Sequence, residues 1–270
     1  MDLINRIDRW LTTERVRDPN KRWTHHPSSL GACVRQLWYK WNHEPATDPT
    51  DACGYYKMKM GNYSEKLIED WLKHEQEHGW IESFESQVDV RGEVDGLEHK
   101  FHGYIDFVYT QDEQRVGLEI KTSFGQGIKA IQRDGMPKEE HLAQVYAYML
   151  FTKIKRFYIV YVARDSGYRT QFEVVVHGPE RISVNDIAVR VDWAGYIDKL
   201  KKLEGCYDCN VMPFRDYAAT IVNGEFKPKF TADKVDYKSD WQCRYCDWRS
   251  ECWAEVLKQT GKFHGERRIV

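Results

Sequence analysis

Acidic side chains recur along the middle of the chain together with one lysine, in a pattern that suits phosphodiester hydrolysis. Glu65 lies in a helical stretch, Asp106 in a strand-like segment, and Glu119 in the next such segment, two residues before Lys121. Carboxylates that converge from neighbouring elements repel one another unless a cation lies between them. Mg²⁺ and Mn²⁺ prefer such oxygen ligands. We therefore expect metal-dependent hydrolysis, in which the Lys121 ammonium orients the attacking water or neutralises the phosphate.

A hairpin would bring Asp106 and Glu119 together. The segments Phe101–Thr110 and Arg115–Thr122 are joined by four polar residues, and a turn centred on this linker places Asp106 opposite Glu119. Side-chain alternation then predicts one face with Ile105, Phe107, Leu118 and Ile120, and another with Tyr104, Asp106, Glu119 and Lys121. We expect the backbone carbonyl of Ile120 to be a further metal ligand.

An Asp followed by a Glu-x-Lys triplet also occurs by chance on solvated strand faces. The neighbouring helices argue against that alternative. Glu65 comes early on the preceding helix, while Gln144 and Tyr148 lie one turn apart on the following helix. The histidines, His141 among them, are expected to be surface or supporting groups rather than metal ligands. His141, one turn before Gln144, has the best claim of them to approach the site.

Four short motifs occur in the order found in the PD-(D/E)XK nucleases, which this chain resembles over roughly residues 28–180. They are Gly-x-x-x-Glu at Gly61–Glu65, Gly-x-x-Asp at Gly103–Asp106, Glu-x-Lys at Glu119–Lys121 and Gln-x-x-x-Tyr at Gln144–Tyr148. The RecB-type exonucleases are the most similar branch. The position of Glu65 is commonly His in that branch, and a Glu there is more like the phage lambda-exonuclease branch.

The resemblance implies a role for each motif residue. Glu65, Asp106, Glu119 and the Ile120 carbonyl are expected to bind the divalent metal. The expected catalytic set is Asp106, Glu119, Lys121, Gln144 and Tyr148, with the last two supporting the site or the DNA.

Three closely spaced cysteines near the C-terminus predict a second inorganic centre. Cys243 and Cys246 are separated by two residues, and Cys252 follows after five more. Buried thiols are the weaker alternative, because charged residues such as Arg249 and Glu251 lie among them. A closed site needs a fourth ligand, and the spacing alone allows zinc or an iron–sulfur cluster.

The segment 28–35, which contains Cys33, resembles the one that precedes the nuclease core in iron–sulfur exonucleases. These include the CRISPR-associated adaptation nuclease and the AddB nuclease domain. The resemblance implies a [4Fe–4S] cluster held by Cys33, Cys243, Cys246 and Cys252, and it extends to about residue 253. Cys53, Cys206 and Cys209 are expected to be ordinary thiols.

Composition indicates a soluble, cytoplasmic protein. The chain has 270 residues, a formal net charge of −2 and seven cysteines. Residues 1–15 do not resemble a secretory signal, and the longest apolar stretch, Phe157–Ala163, is too short to span a bilayer. The charge balance counts against a tight, static DNA binder. Aromatic residues make up 14% of the chain; we expect most of them in the core, and a few could serve as base-stacking platforms.

The order of predicted elements indicates an α/β (α+β) fold with a mixed central sheet flanked by helices. Predicted helices include 55–78, 127–133, 139–152 and 181–203, with strands at 81–90, 101–110, 115–122, 156–163 and 169–177. We expect one nuclease domain over residues 1–270, with a core at 28–180. Its N- and C-terminal segments, 28–41 and 206–253, would join at the cluster.

The expected activity is exonucleolytic cleavage of DNA single strands or ends without sequence specificity. The basic stretches Arg15–His26, Lys153–Arg156 and Lys199–Lys202 could contact phosphates or be solvated surface. Two alternatives are an endonuclease or flap nuclease using the same site, and a non-catalytic DNA-binding subunit. A protein partner in recombination, replication or CRISPR adaptation is compatible with each.

Overall fold

The computed structural model describes residues 2–13, 23–217, 220–222, 225–226, 241–254 and 268–269. The chain divides into two compact units. The first comprises residues 1–21, 32–55 and 199–270, and the second comprises residues 22–31 and 56–198. Within the predicted basic stretch Arg15–His26, residues 15–22 lie outside the described part. The assignment of residues 1–270 to one nuclease domain stays a prediction.

The helices of the described residues follow the predicted order up to α5. They are α1 (Leu3–Thr13), α2 (Val34–Trp41), α3 (Ala52–Glu77), α4 (Gly125–Asp134), α5 (Glu139–Thr152), α6 (Trp193–Asp208), and the single turns α7 (Trp241–Arg244) and α8 (Arg249–Cys252). A 3-10 turn precedes α2 at Pro27–Ser29. Helix α4 ends at Gly135 in the left-handed conformation, which glycine adopts without a steric penalty. None of the described helices combines the length and apolar character needed to cross a membrane.

Seven strands form the central sheet of the second unit, in the order in which they occur along the chain. They are β1 (Ser83–Gly92), β2 (Phe101–Gln111), β3 (Gln114–Ser123), β4 (Arg156–Ala163), β5 (Arg169–Gly178), β6 (Arg181–Val184) and β7 (Ile187–Arg190). Strands β3 and β4 are parallel, since α4 and α5 connect them, and the other neighbours are antiparallel. The predicted mixed sheet flanked by helices is therefore confirmed. In the first unit, β8 (Thr220–Val222), β9 (Glu225–Phe226) and β10 (Arg268–Ile269) form a small sheet in the order β10-β8-β9.

The hairpin between β2 and β3 has the predicted centre. Asp112 and Glu113 both have positive φ (49° and 61°), and Gln111 pairs with Gln114 across the two-residue turn. Such turns match the twist of antiparallel strands. The pairing runs only as far as Phe107 and Leu118. Beyond that point β2 continues against β1 and β3 continues against β4. We call the two separated segments, residues 101–106 and 119–123, the fork.

The predicted helix Arg181–Leu203 is wrong over residues 181–192 and correct from Trp193 to Leu203. Its first ten residues form the hairpin of β6 and β7, and α6 begins only at Trp193. The turn residues Asn185 and Asp186 both have positive φ (46° and 66°), which Asn and Asp tolerate better than most residues. Because Ile182 and Val184 are buried while the turn is exposed, a two-residue period and a short turn fit this segment better than a helix.

Two apolar clusters cover opposite faces of the central sheet. Along β4, Phe157 and Ile159 belong to the cluster under α4 and α5, whereas Tyr158 and Val160 alternate with them and pack against the other cluster. That second cluster lies under α3 and includes Leu72. Buried apolar side chains therefore fix the sheet between helices on both sides.

Side-chain alternation is interrupted at Asp106. Phe107, Leu118 and Ile120 share the cluster under α3, as predicted, but Ile105 packs in the cluster under α4 and α5. The predicted face is thus wrong for Ile105. The interruption coincides with one on the neighbouring strand, where Gln87 has a φ of 51° and its pairing with Asp106 is missing from an otherwise regular register. Such an irregularity redirects the side chains that follow it.

Close packing at Gly117 provides a test of this core. A Cβ at Gly117 would overlap the ring of Phe157, which is fully buried. We expect Gly117→Ala to destabilise the protein by about 1–3 kcal/mol, because the ring has nowhere to move. Gly205→Ala is the matched control: its Cβ would meet nothing within 4 Å, and the site is helical. It should be neutral or stabilising by up to about 1 kcal/mol. Denaturant unfolding measures both, and equal stabilities would contradict the described packing.

Candidate active site and cysteine cavity

Glu119 lies on β3 at the first position beyond its pairing with β2, and it is 2% exposed. Its Oε1 accepts two hydrogen bonds, from Lys121 Nζ at 2.6 Å and from Gln144 Nε2 at 2.7 Å. Lys121 also donates to Gln144 Oε1 at 2.9 Å. The other carboxylate oxygen, Glu119 Oε2, is buried and has no hydrogen-bond partner among the described residues. A buried acceptor without a donor is costly, so this atom is suited to a cation.

Asp106 lies on the opposite arm of the fork. Its Oδ2 accepts a hydrogen bond from the backbone N–H of Ile120 at 2.7 Å. The carboxylate thus accepts the N–H that a backbone carbonyl of β2 would accept if the two strands were still paired. The sequence predicts Asp106 directly across from Glu119, through continued backbone pairing. In the structure the backbone pairing of β2 with β3 ends at Phe107 and Leu118. Asp106 contacts β3 through its side chain instead.

The charges of this site are unbalanced. Burial, followed by the charge of Glu119, raises the pKa of Asp106 well above its ordinary value. The same two causes, in the same order, raise the pKa of Glu65 on α3. Burial would lower the pKa of Lys121, but the nearby carboxylates, Glu119 foremost, outweigh it and raise that pKa. Three carboxylates therefore share one ammonium, and a divalent cation would relieve their repulsion.

Gln144 and Tyr148, one turn apart on α5, hold this arrangement in place. The amide of Gln144 donates to Tyr148 OH at 3.2 Å as well as to Glu119, while its oxygen accepts from Lys121. Tyr148 OH in turn donates to the backbone carbonyl of Tyr104 at 2.7 Å. Both ends of the Gln144 side chain are used, which fixes Lys121 and Glu119 relative to the helix.

A supporting contact near the start of α5 was only partly predicted. Tyr161 OH accepts the backbone N–H of Lys138 at 3.2 Å and lies 2.7 Å from His141 Nδ1. Burial lowers the pKa of His141 to about 2, so the imidazole is neutral at ordinary pH. The position of His141, one turn before Gln144, was a usable signal. Tyr161 has no local signal, since it is one aromatic residue in an apolar strand.

The predicted metal ligands do not yet form a closed site. Within the ranges that the structure describes, no group of three or more His, Cys, Asp and Glu side chains is arranged to hold a metal ion as it stands. The donor set nevertheless fits a hard divalent ion. Asp106 and Glu65 contribute carboxylates whose pKa values are raised. Glu119 contributes a buried oxygen that has no hydrogen-bond partner among the described residues.

In the first unit, Cys33, Cys243, Cys246 and Cys252 line a common cavity. Burial first, then the neighbouring cysteines, raises the pKa of Cys243 to about 12. Burial is also the main cause that raises the pKa of Cys246 to about 11. Deprotonating these thiols together therefore requires a cation among them. Cys53, Cys206 and Cys209 do not line the cavity.

Arginines supply positive charge to one side of this cavity. Arg35 Nη1 and Arg215 Nε lie 3.7 Å and 3.4 Å from Cys252 Sγ, as hydrogen-bond donors. Arg215 also lies over the ring of Trp253, 4.0 Å from its centroid. The two arginines therefore place positive charge beside the Cys252 sulfur, as is common around a metal held by thiolates.

Hydrogen bonds and ring stacking also join the segment that follows Cys33 to the segment that contains Cys243, Cys246 and Cys252. Asp48 accepts hydrogen bonds from the backbone N–H of Ser250 at 2.8 Å and from its hydroxyl at 2.7 Å. Burial would raise the pKa of Asp48, but these bonds outweigh it and lower that pKa. Trp248 stacks on Tyr39 at 5.7 Å and donates to the Glu44 carbonyl at 3.1 Å.

Comparisons with known proteins agree with this architecture. A model of the PD-(D/E)XK nuclease superfamily matches residues 3–253. The crystal structure of SSO0001 is similar at a TM-score of 0.52 and 15% identity, with 96% of each chain covered, which shows a shared fold. The structure of LHK-Exo in complex with dAMP has a TM-score of 0.33 and 11% identity, covering 69% of this chain and 89% of that one. That second likeness is too low to support an argument. Among curated proteins, none matches significantly.

The charge imbalance predicts that Asp106 destabilises the metal-free protein. Because the pKa of Asp106 is raised on folding, the folded chain binds more protons than the unfolded chain, and stability falls as pH rises through the interval between the two pKa values. Asn remains neutral and can still accept the Ile120 N–H. We therefore expect Asp106→Asn to raise the melting temperature in EDTA at neutral pH, by about 2 °C or more.

Asp89→Asn is the matched control for this measurement. A hydrogen bond from His102 lowers the pKa of Asp89, so losing its charge should leave the melting temperature unchanged or reduce it. A drop in stability for Asp106→Asn, at every pH from acid to neutral, would show that the carboxylate is not under repulsion.

Proposed function

The chain belongs to the PD-(D/E)XK nuclease superfamily, whose members are metal-dependent nucleases, and on this premise we propose that it hydrolyses DNA. We propose exonucleolytic cleavage of single strands or ends, without sequence specificity. One observation carries the assignment to this site: the buried Glu119 carboxylate has an oxygen without a partner, beside Asp106, Glu65 and a charged lysine. A cytoplasmic location belongs to the same proposal.

In this proposal Glu65, Asp106, Glu119 and the Ile120 carbonyl hold Mg²⁺ or Mn²⁺. When bound, the metal stabilises charge on the phosphate and makes a coordinated water more acidic. The chain must keep these oxygens close together despite their repulsion. The β2–β3 pairing, followed away from the turn, ends at Phe107 and Leu118, and Asp106 and Glu119 are the next residues on the two strands. The Asp106 side chain then reaches the backbone N–H of Ile120, next to Glu119.

Lys121 is the proposed catalytic residue that contacts water or phosphate. Its pKa is raised, so the ammonium keeps its charge at neutral pH. Two of its three N–H groups donate to Glu119 and Gln144, and the third can donate to the substrate. Gln144 is a positioning residue, because it contacts Glu119 and Lys121 rather than reacting atoms. Tyr148 is a positioning residue one contact further away, because it accepts a hydrogen bond from Gln144 and donates to the Tyr104 carbonyl.

The cysteine cavity supports a second part of the proposal, a structural [4Fe–4S] cluster held by Cys33, Cys243, Cys246 and Cys252. The four thiols converge from segments more than two hundred residues apart in the sequence, and arginines donate to one of them. Zinc is the alternative, because tetrahedral thiolate sites accept both metals. The iron–sulfur exonucleases that the chain resembles favour the cluster.

Removal of either central side chain should abolish cleavage. We expect Glu119→Ala and Lys121→Ala each to reduce the rate about a thousandfold or more, because a metal ligand or a charge on the phosphate contributes several kcal/mol to the transition state. The assay uses Mn²⁺ with end-labelled linear and circular DNA, single- and double-stranded. Lys129→Ala, at an exposed lysine on α4, should cleave like the wild type.

The same assay separates the candidate activities. Loss of activity in EDTA is required by the metal mechanism. A circular single strand should survive an exonuclease, whereas its cleavage would favour the endonuclease alternative. Near-wild-type rates in Glu119→Ala or Lys121→Ala would place the active site elsewhere, and DNA binding without any cleavage would favour the non-catalytic subunit.

Metal analysis tests the cluster. Protein purified without oxygen should be brown and contain about four iron atoms per chain, the content of one [4Fe–4S] centre. Serine substitution of Cys33, Cys243, Cys246 or Cys252 should remove the colour and reduce stability, because binding at such a centre contributes to folding free energy. Cys53→Ser and Cys209→Ser, at exposed positions, should keep both. One zinc atom per colourless chain would contradict the iron–sulfur assignment.

A further inference from the structure

One arm of the fork carries an exposed aromatic ring two residues before Asp106. Tyr104 is two residues before Asp106 on β2, which corresponds to about 7 Å along an extended strand. Its side chain is 48% exposed, whereas its carbonyl is held by the hydroxyl of Tyr148 at 2.7 Å. The ring therefore projects outward from a backbone that is fixed to the site. The neighbouring ring of His102 lies 5.1 Å away on the same arm.

The other arm ends in a second exposed ring. Phe124 follows the last residue of β3, three residues after Lys121, and is 52% exposed. Arg164 lies beside it, with the guanidinium carbon 5.4 Å from the ring centroid. The backbone N–H of Arg164 donates to the Ser123 carbonyl at 2.9 Å and its Nη1 to the Lys57 carbonyl at 3.0 Å, so its position is fixed. Its Nε has no hydrogen-bond partner among the described residues.

We propose that Tyr104 and Phe124 are stacking platforms for unpaired nucleobases on the two sides of the scissile phosphate, and that Arg164 contacts the adjoining backbone. The inference rests on the proposed nuclease function and specifies its substrate as single-stranded DNA. For an exposed ring at such a site, each base that stacks on it contributes about 1–3 kcal/mol to the binding free energy.

Charge supports stacking as a source of affinity. The chain has a formal net charge of −2, so attraction to phosphates alone is weak. Bases in a duplex are already stacked and paired, and exposing one costs a few kcal/mol. A single strand presents its base faces without that cost. Tyr104 and Phe124 thus favour a single strand over a duplex at the same site.

The test measures binding without cleavage. Wild-type protein in EDTA is titrated into single-stranded oligonucleotides that carry one 2-aminopurine at successive positions, since stacking quenches the fluorescence of this base. Tyr104→Ala and Phe124→Ala should each weaken binding about tenfold and remove the quenching at one position. Tyr104→Phe, which retains the ring, should bind like the wild type. Trp80→Ala, at a 60% exposed ring elsewhere on the second unit, is the matched control.

Cleavage of the same oligonucleotides with Mn²⁺ is measured in parallel, so that the two proposals can fail separately. Quenching that depends on Tyr104 and Phe124 supports stacking even if no cleavage occurs. Wild-type affinity in both alanine variants, no quenching at any position, or equal competition by a duplex of the same length would overturn the inference. If both alanine variants bind with wild-type affinity, the rings are better explained as a protein-binding surface.

Discussion

Repulsion among Glu65, Asp106 and Glu119 is the constraint on which the second unit depends, because a fold gains nothing by burying three carboxylates beside one ammonium. Burial and mutual repulsion raise the pKa of Asp106 and Glu65. Hydrogen bonds stabilise these carboxylates only in part. Lys121 and Gln144 donate to Glu119, and the backbone N–H of Ile120 donates to Asp106. This excess of negative charge raises the free energy of the metal-free site, and a bound cation would lower it.

The sheet solves a geometric problem that follows from this constraint. Paired strands hold their backbones together by hydrogen bonds, which would leave no room for a substrate between Asp106 and Glu119. The end of pairing at Phe107 and Leu118 separates the two arms, while β1 and β4 keep each arm rigid. Helix α5 then spans the opening with Gln144 and Tyr148, and α3 supplies Glu65. Rigid elements on every side are what a preorganised site requires.

Much of this arrangement could be predicted from sequence because its signals are local. The turn at Asp112 and Glu113, the strands on either side and the one-turn spacing of Gln144 and Tyr148 all follow from short-range rules. The convergence of Cys33 with three distant cysteines was predicted from a family resemblance, and the structure places all four at one cavity. The roles of the individual site residues remain predictions.

The incorrect predictions have two origins: interactions between residues far apart in the sequence, and a short turn whose sequence signal was not used. The face of Ile105 is predicted wrongly because the interruption at Asp106 coincides with an irregularity at Gln87 on a neighbouring strand, which strict alternation does not anticipate. The hairpin of β6 and β7 was predicted as helix because its Asn185–Asp186 turn was overlooked, although Asn and Asp are common at positive φ. The end of pairing between β2 and β3 has no sequence signal, since each arm is satisfied by a different strand. Tyr161 likewise gains its role only from the helix that packs above it.

Calorimetric titration with Mn²⁺ measures whether the buried carboxylates form a cation site at all. We expect saturable binding to the wild-type chain, with loss of most of the affinity in Asp106→Asn and no change in Asp89→Asn. Binding that is equal in Asp106→Asn and wild type would contradict this expectation, since the charge excess around Glu119 would then have nothing to do with metal.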